Sequence, residues 1–439
     1  MKSCNFVIVE KLSDFIAFKS ISADPKFESE CTDCAIWLSD YLQGFGVKTE
    51  LIPTPTGKPV VYGRIGSGDT KTLIYGHYDV QPPEPIELWK TDPFVLTERE
   101  GRVYGRGAQD NKGQLWYVIQ AVKARADSLK EEVIFLIEGE EESGSVGLSQ
   151  ILSSIKGKIK ADTLLVCDTG TIDERVGALT MGLRGICHLE VQIIGPSKDL
   201  HSGVHGGVAP NPSLALVKML GTLHDENGRI GIPGFYDSVK EPLKEELALA
   251  EKFPITEAMY HGLTGVMPFG GEKGKSIALR RGFLPTIEIN GLRSGHIDEG
   301  SKTIIPSTAN AKLSIRLAYD QDPKETLELV TNFLKLQTPL GLTFKIIDSC
   351  AAGRALRVPI SSPAVARAKN ALIKSTGVEP LYIWEGASIP VLVSLTEVSG
   401  AVPVLVGFGL EEDSIHAPNE SFKITQWDKG YKFALEFFG

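Results

Sequence analysis

Short apolar runs that stop abruptly at polar residues recur along this chain. Thr72-Leu73-Ile74-Tyr75 stops at Gly76-His77-Tyr78-Asp79, and Val133-Ile134-Phe135-Leu136-Ile137 runs into Glu138-Gly139-Glu140-Glu141-Glu142. Thr163-Leu164-Leu165-Val166 runs into Cys167-Asp168. Val402-Pro403-Val404-Leu405-Val406 leads through Gly407-Phe408-Gly409 to a loop carrying His416-Ala417-Pro418-Asn419-Glu420. Unbroken runs of this length predict buried strands. Further strands are predicted over 47–52 and 60–65. Apolar spacing predicts helices over 6–19, 28–43, 112–126, 363–374 and 427–438. In the second of these, Cys31, Ala35, Leu38 and Leu42 share one face and Gly44 ends it. Strands alternating with helices predict an α/β layered core. In such sheets, ligands gather beyond the carboxyl ends of the strands.

Between Asp168 and His416 the character changes. Amphipathic strands are predicted over 186–194, 286–290 and 309–317, with helices over 212–223 and 324–336. This predicts a second, α+β domain over 185–358, interpolated into a first domain made of 1–184 and 359–439. The charged stretch 241–252 reads as a helix with a solvated face.

Composition narrows the classes. A chain of 439 residues is too long for one ordinary core. With 42% apolar and 23% charged residues it reads as soluble and globular. A net charge of −9 argues against non-specific nucleic-acid binding, which needs a basic footprint. No apolar run approaches a membrane span, and Met1-Lys2-Ser3-Cys4-Asn5-Phe6 has no secretory apolar region. Six scattered cysteines fit a reducing cytoplasm rather than a disulfide framework. The lone Cys31-Thr32-Asp33-Cys34 reads as packing.

Histidines and carboxylates at several strand ends suit a dinuclear site for zinc, manganese or cobalt. In His77-x-Asp79, the imidazole can ligate while the aspartate holds its other ring nitrogen. Alone, such a pair would read as a surface turn. Its recurrence with other candidate ligands favours metal. Two ions about 3.5–4 Å apart need a bridging carboxylate. Asp110, in the glycine-lined Gly105-Arg106-Gly107-Ala108-Gln109-Asp110, is the natural bridge. One carboxylate must stay off the ions as general base, and a neighbouring glutamate pair can supply both a ligand and the base. Which of Glu138, Glu140, Glu141 and Glu142 form that pair stays open at this point.

Six words carry a specific resemblance. They are Gly76-His77-Tyr78-Asp79-Val80-Gln81-Pro82-Pro83, Gly105-Arg106-Gly107-Ala108-Gln109-Asp110-Asn111-Lys112-Gly113, Glu141-Glu142-Ser143-Gly144-Ser145, Asp199-Leu200-His201-Ser202-Gly203, Gly300-Ser301-Lys302-Thr303-Ile304-Ile305-Pro306 and His416-Ala417-Pro418-Asn419-Glu420. With these words in this order, the chain resembles the dinuclear metallopeptidase family of aminoacylase, carboxypeptidase G and carnosinase. Within it, the chain looks most like the cytosolic nonspecific dipeptidase subgroup. The resemblance implies a phosphorylase/hydrolase-like α/β/α catalytic domain with an inserted α+β lid that also forms a homodimer.

It also implies roles. His77, Asp110 and Asp168 would hold one ion, and Asp110, Glu142 and His416 the other. Glu141 would be the general base and Asp79 would orient His77. His201 would reach the partner's site and stabilise the oxyanion. Thr303, Arg316 and Ser388 would hold the substrate, a dipeptide. Three departures from the family pattern stand out: Ala387 replaces a glycine beside Ser388, Asn111 replaces an aspartate, and His205 replaces an aromatic. The alternatives are an N-acyl amino-acid deacylase with the same metals, or a non-catalytic metal- or peptide-binding module.

Overall fold

The computed structural model describes residues 5–252, 255–386 and 388–439. The chain divides into two compact units. One comprises Met1–Met181, Val358–Ile383 and Val391–Gly439; the other comprises Gly182–Arg357 and Trp384–Pro390.

The first unit is built on a mixed sheet. Its strands run in the order Lys48–Ile52, Val60–Gly66, Glu132–Glu138, Lys71–His77, Thr163–Val166, Val402–Gly407 and Ala178–Leu183. Four neighbours, Glu132–Glu138, Lys71–His77, Thr163–Val166 and Val402–Gly407, are mutually parallel. Glu132–Glu138 is buried at every position, so both faces of the sheet are covered, as a parallel arrangement requires. The helix Lys112–Arg125 packs with Ile424–Phe437, and Val146–Ile155 packs with Val391–Ser399. This is the α/β layered core that the apolar runs predict. Cys31 and Cys34 are fully buried packing residues on the helix Glu28–Gln43.

Parallel pairing has a direct consequence for chemistry. Neighbouring parallel strands end at the same edge, so the loops leaving their carboxyl ends meet there. Register places His77 opposite Glu138 and Tyr75 opposite Val166. A small antiparallel sheet completes the convergence. Arg102–Tyr104, just before the Asp110 loop, pairs with Ser421–Lys423, just after the His416 loop.

The second unit is an antiparallel sheet in the order Thr286–Ser294, Thr308–Leu317, Gly185–Ile194 and Thr343–Gly353. The helices Pro212–Gly221 and Pro323–Leu336 pack on it around Leu189, Val191, Leu216, Leu313, Ile315 and Leu334. Each helix starts with proline, and Asn211 or Asp322 accepts hydrogen bonds from its first free N–H groups.

Three features differ from the sequence expectation. The strand Thr343–Gly353 is not signalled by the sequence, because it is exposed along most of its length and shows no buried face. Within 241–252 only Lys244–Ala250 is helical, and Glu246 is buried rather than solvated. Its carboxylate accepts from Arg357 Nε at 2.5 Å and from the Leu243 N–H at 2.7 Å. Trp384–Pro390 packs with the second unit, although its sequence position falls in the stretch predicted for the first. Trp384 lies against Phe283, 4.9 Å between ring centroids, and the Ser388 hydroxyl donates to the Arg184 carbonyl.

Candidate metal centre

At the carboxyl edge of the parallel strands, two imidazoles and four carboxylates come together. His77 ends its strand with its ring fully buried. Its Nδ1 lies 3.3 Å from Asp79 Oδ1 and 3.1 Å from the Asp79 carbonyl. That leaves Nε2 facing Asp110 Oδ1 at 3.3 Å and Asp168 Oδ2 at 3.6 Å. On the other side of Asp110, Oδ2 lies 2.9 Å from His416 Nε2. His416 Nε2 is also 3.3 Å from Glu142 Oε2. Two candidate ligand sets result, His77–Asp110–Asp168 and Asp110–Glu142–His416, and within each set the donor atoms lie within 4.8 Å of one another. Asp110 belongs to both.

The acidic run after Glu138 sorts itself by contact. Glu138 accepts from Tyr75 Oη at 2.7 Å and Ser145 Oγ at 2.9 Å. Glu140 accepts from Thr56 Oγ1 at 2.5 Å and the Gly147 N–H at 2.9 Å, and pairs with Lys58. Both are thus committed to holding structure. Glu142 enters a ligand set. Glu141 enters neither, though its carboxyl feels His77, Asp168, Glu142 and Asp110.

Asp79 does more than orient His77. Its two oxygens accept the N–H groups of Glu141 at 3.2 Å and Glu142 at 3.1 Å. One carboxylate therefore ties the His77 strand end to the glutamate pair.

Glu420 is a residue for which the sequence suggests no role. It is fully buried and paired with Arg106 Nη1 at 2.7 Å. Its carboxylate also accepts the N–H groups of Gly107 at 2.9 Å and of Gln109 and Asp110 at 3.0 Å. It therefore moulds the loop that presents Asp110. Gly113 closes the same loop, since a Cβ there would collide with the Ala108 carbonyl oxygen. The His416 loop turns through Ser414, His416 and Asn419, all at positive φ, a region sparsely used by non-glycine residues. Asn419 anchors it, accepting from the Lys90 N–H and donating to the Leu88 carbonyl, each at 2.8 Å. Asn111 donates to Asp168 Oδ1 and to the Cys167 carbonyl, each at 2.7 Å. An aspartate there could make neither bond while ionised.

The donor set fits divalent metal. His77 Nε2 and Glu142 Oε1 are buried without a hydrogen bond, an arrangement that costs free energy unless a partner binds them. Burial pushes the Glu141, Glu142 and Asp168 carboxyls up, with their negative neighbours adding to the effect. Burial also opposes ionisation of Asp110, but the hydrogen bond with His416 and the nearby His77 imidazole hold it below the usual carboxylate range. Burial disfavours a charged His77, yet Asp168, Asp110 and Asp79 together hold its pKa well above the ordinary value. Hydrogen bonds to Asp110 and Glu142 push His416 up to about 10. Such a cluster gathers positive charge, and divalent ions supply it most effectively.

The remaining predicted site residues lie in the second unit. His201 is exposed and pairs with Ile304 across a short ladder. Its Nδ1 accepts the Gly203 N–H at 3.0 Å, so the neutral ring carries its proton on Nε2. Thr303 is also exposed, and its carbonyl accepts the Ser202 N–H at 2.8 Å. Arg316 Nη1 donates to Ser388 Oγ at 3.0 Å, and burial lowers the Arg316 pKa. His205 is exposed, and Ala387 lies outside the described residues.

Two three-residue groups sharing a carboxylate, at the carboxyl edge of a parallel sheet, have the donor pattern of a dinuclear metal site. The model of Peptidase family M20/M25/M40 matches residues 73–438, and the chain belongs to that family. It is 31% identical over 453 residues to the Beta-Ala-His dipeptidase of Homo sapiens, covering 98% of this chain and 89% of that protein. It is also 31% identical over 451 residues to a Cys-Gly metallodipeptidase of Saccharomyces cerevisiae, covering 96% and 92%. The solved structure of an M20 family metallo-carboxypeptidase from Sulfolobus solfataricus matches with a TM-score of 0.87 at 32% identity, over 98% of both chains.

The raised His416 pKa makes a prediction. At pH 7 the metal-free imidazole is protonated, because its pKa is about 10, whereas a ligating imidazole must be neutral. Metal loading should therefore release protons, and affinity should rise with pH toward that value. Calorimetry in buffers of different ionisation enthalpy measures the release. Binding without proton release would contradict this electrostatic account of the ligand set.

Proposed function

We propose that this chain is a metal-dependent dipeptidase. The observation that carries the reading is the sharing of Asp110 by two ligand sets while the adjacent Glu141 stays out of both. Zinc or manganese ions suit the mixed imidazole and carboxylate donors. Bound there, the two ions would polarise the scissile carbonyl and lower the pKa of a shared water toward about 7.

The protein's own groups do the rest. Glu141 takes the proton from the attacking water and passes it to the leaving amine. Burial raises its proton affinity, which suits a base. Asp79 holds His77 and the main chain of the glutamate pair. His201, acting across a homodimer formed by the lid domain over 185–358, donates Nε2–H to the tetrahedral oxyanion. Its exposure and the Gly203 bond to Nδ1 support that donor role. Arg316 grips the substrate carboxylate, with Thr303 and Ser388 holding neighbouring polar groups. The five described cysteines are free thiols, which supports a cytoplasmic location. No helix among the described residues is long and apolar enough to cross a membrane.

The likeness to a metallo-carboxypeptidase favours a second reading, removal of the C-terminal residue from longer peptides. The chemistry would be the same, and only the accepted substrate length would differ.

Two experiments test the assignment. Glu141→Gln should retain both ions, measured by elemental analysis, and lose at least ~100-fold in turnover, the scale of general-base catalysis. Turnover at the wild-type rate would remove Glu141 as base. Mixing His201→Ala with Glu141→Gln chains should restore part of the activity, because a mixed dimer holds one site with both residues intact. No recovery between subunits shown to exchange would sink the action of His201 in trans.

A further inference from the structure

Four of the five candidate ligands, all but His416, are held by a group that is not itself in either set. Asp79 holds His77, Asn111 holds Asp168, and Glu420 holds the loop of Asp110. For Glu142 the holding group is Gln81. Gln81 Nε2 donates to Glu142 Oε2 at 2.8 Å. Apart from His416, no other side chain hydrogen-bonds this carboxylate among the described residues. The second oxygen, Oε1, is buried and has no hydrogen bond.

Gln81 is itself well placed to impose an orientation. It sits between fixed points: the Val80 N–H donates to the Ser20 carbonyl at 2.9 Å, and Arg106 Nη2 donates to the Pro82 carbonyl at 3.2 Å. Pro82 and Pro83 stiffen the next stretch of chain. The amide is also neutral. A lysine in its place would compensate the Glu142 charge and compete with a cation. A glutamine supplies the directional donor and leaves the full negative charge for an ion.

We propose that Gln81 is the positioning residue of the Asp110–Glu142–His416 set, fixing the Glu142 carboxylate so that this set binds its ion tightly. It has no such role for His77–Asp110–Asp168. The proposal rests on the two-ion reading of the site.

Gln81→Met keeps the length of the side chain and removes the donor. Metal-free protein is titrated with Zn²⁺ against a chromophoric chelator, and bound ions are counted without any activity assay. The wild type should take up two ions. The variant should bind the first with unchanged affinity and the second ~10–100-fold more weakly, the usual cost of losing a group that holds a ligand. Unchanged affinity for the second ion would overturn the proposal. So would loss of both ions with a lowered Tm, since Gln81 would then support the loop rather than Glu142. Fewer than two ions on the wild type would remove the two-ion reading itself, and the role of Gln81 with it.

Discussion

Like charges cannot be packed together out of water without compensation. Asp110, Glu141, Glu142 and Asp168 are brought together at one sheet edge, with His77 and His416 among them. Much of the first unit serves to hold that arrangement. Four parallel strands set the positions, because they all finish at the same edge. Fixed donors then set the orientations. Glu420 directs its charge at three main-chain N–H groups and Arg106. Asp79 directs its charge at His77 and two more N–H groups. These outer carboxylates are satisfied within the protein, whereas Asp110, Asp168 and Glu142 form the candidate ligand sets.

This division of labour explains how one acidic run can hold different roles. Glu138 and Glu140 are satisfied by Tyr75, Ser145, Thr56 and the Gly147 N–H. Glu142 accepts from Gln81 on one oxygen, while its other oxygen is buried without a hydrogen bond. A proton acceptor beside the ions must be close enough to share their field yet not be consumed as a ligand. In the proposed mechanism Glu141 would meet that requirement, with its neighbour Glu142 in the candidate ligand set.

Much of this was legible in the chain. The α/β core is evident from apolar runs that end at polar words. Candidate ligands such as His77 and Asp168 stand out because each lies at the end of a strand-forming run. The choice among the glutamates was not legible from spacing, because it depends on partners such as Thr56 and Tyr75, far away in sequence. Glu420 was hidden for a different reason. Its partners are mainly backbone N–H groups, which nearly every residue carries, so no side-chain pattern marks it. Gln81 was visible only as part of a motif, since an amide that holds a carboxylate looks like any surface glutamine. The strand Thr343–Gly353 escaped because exposed strands lack the alternation that reveals buried ones. Trp384–Pro390 was assigned to the wrong neighbour because chain order does not reveal which core a returning segment joins.

The most direct test of the central claim is release of free amino acids from dipeptides, tripeptides and N-acyl amino acids. The panel is run on chelated protein and again after zinc or manganese is restored. The account predicts cleavage that depends on metal and is confined to dipeptides. Release of C-terminal residues from tripeptides would favour the carboxypeptidase reading, and cleavage of N-acyl substrates alone would favour deacylation. No turnover with both ions bound would contradict an enzymatic role altogether.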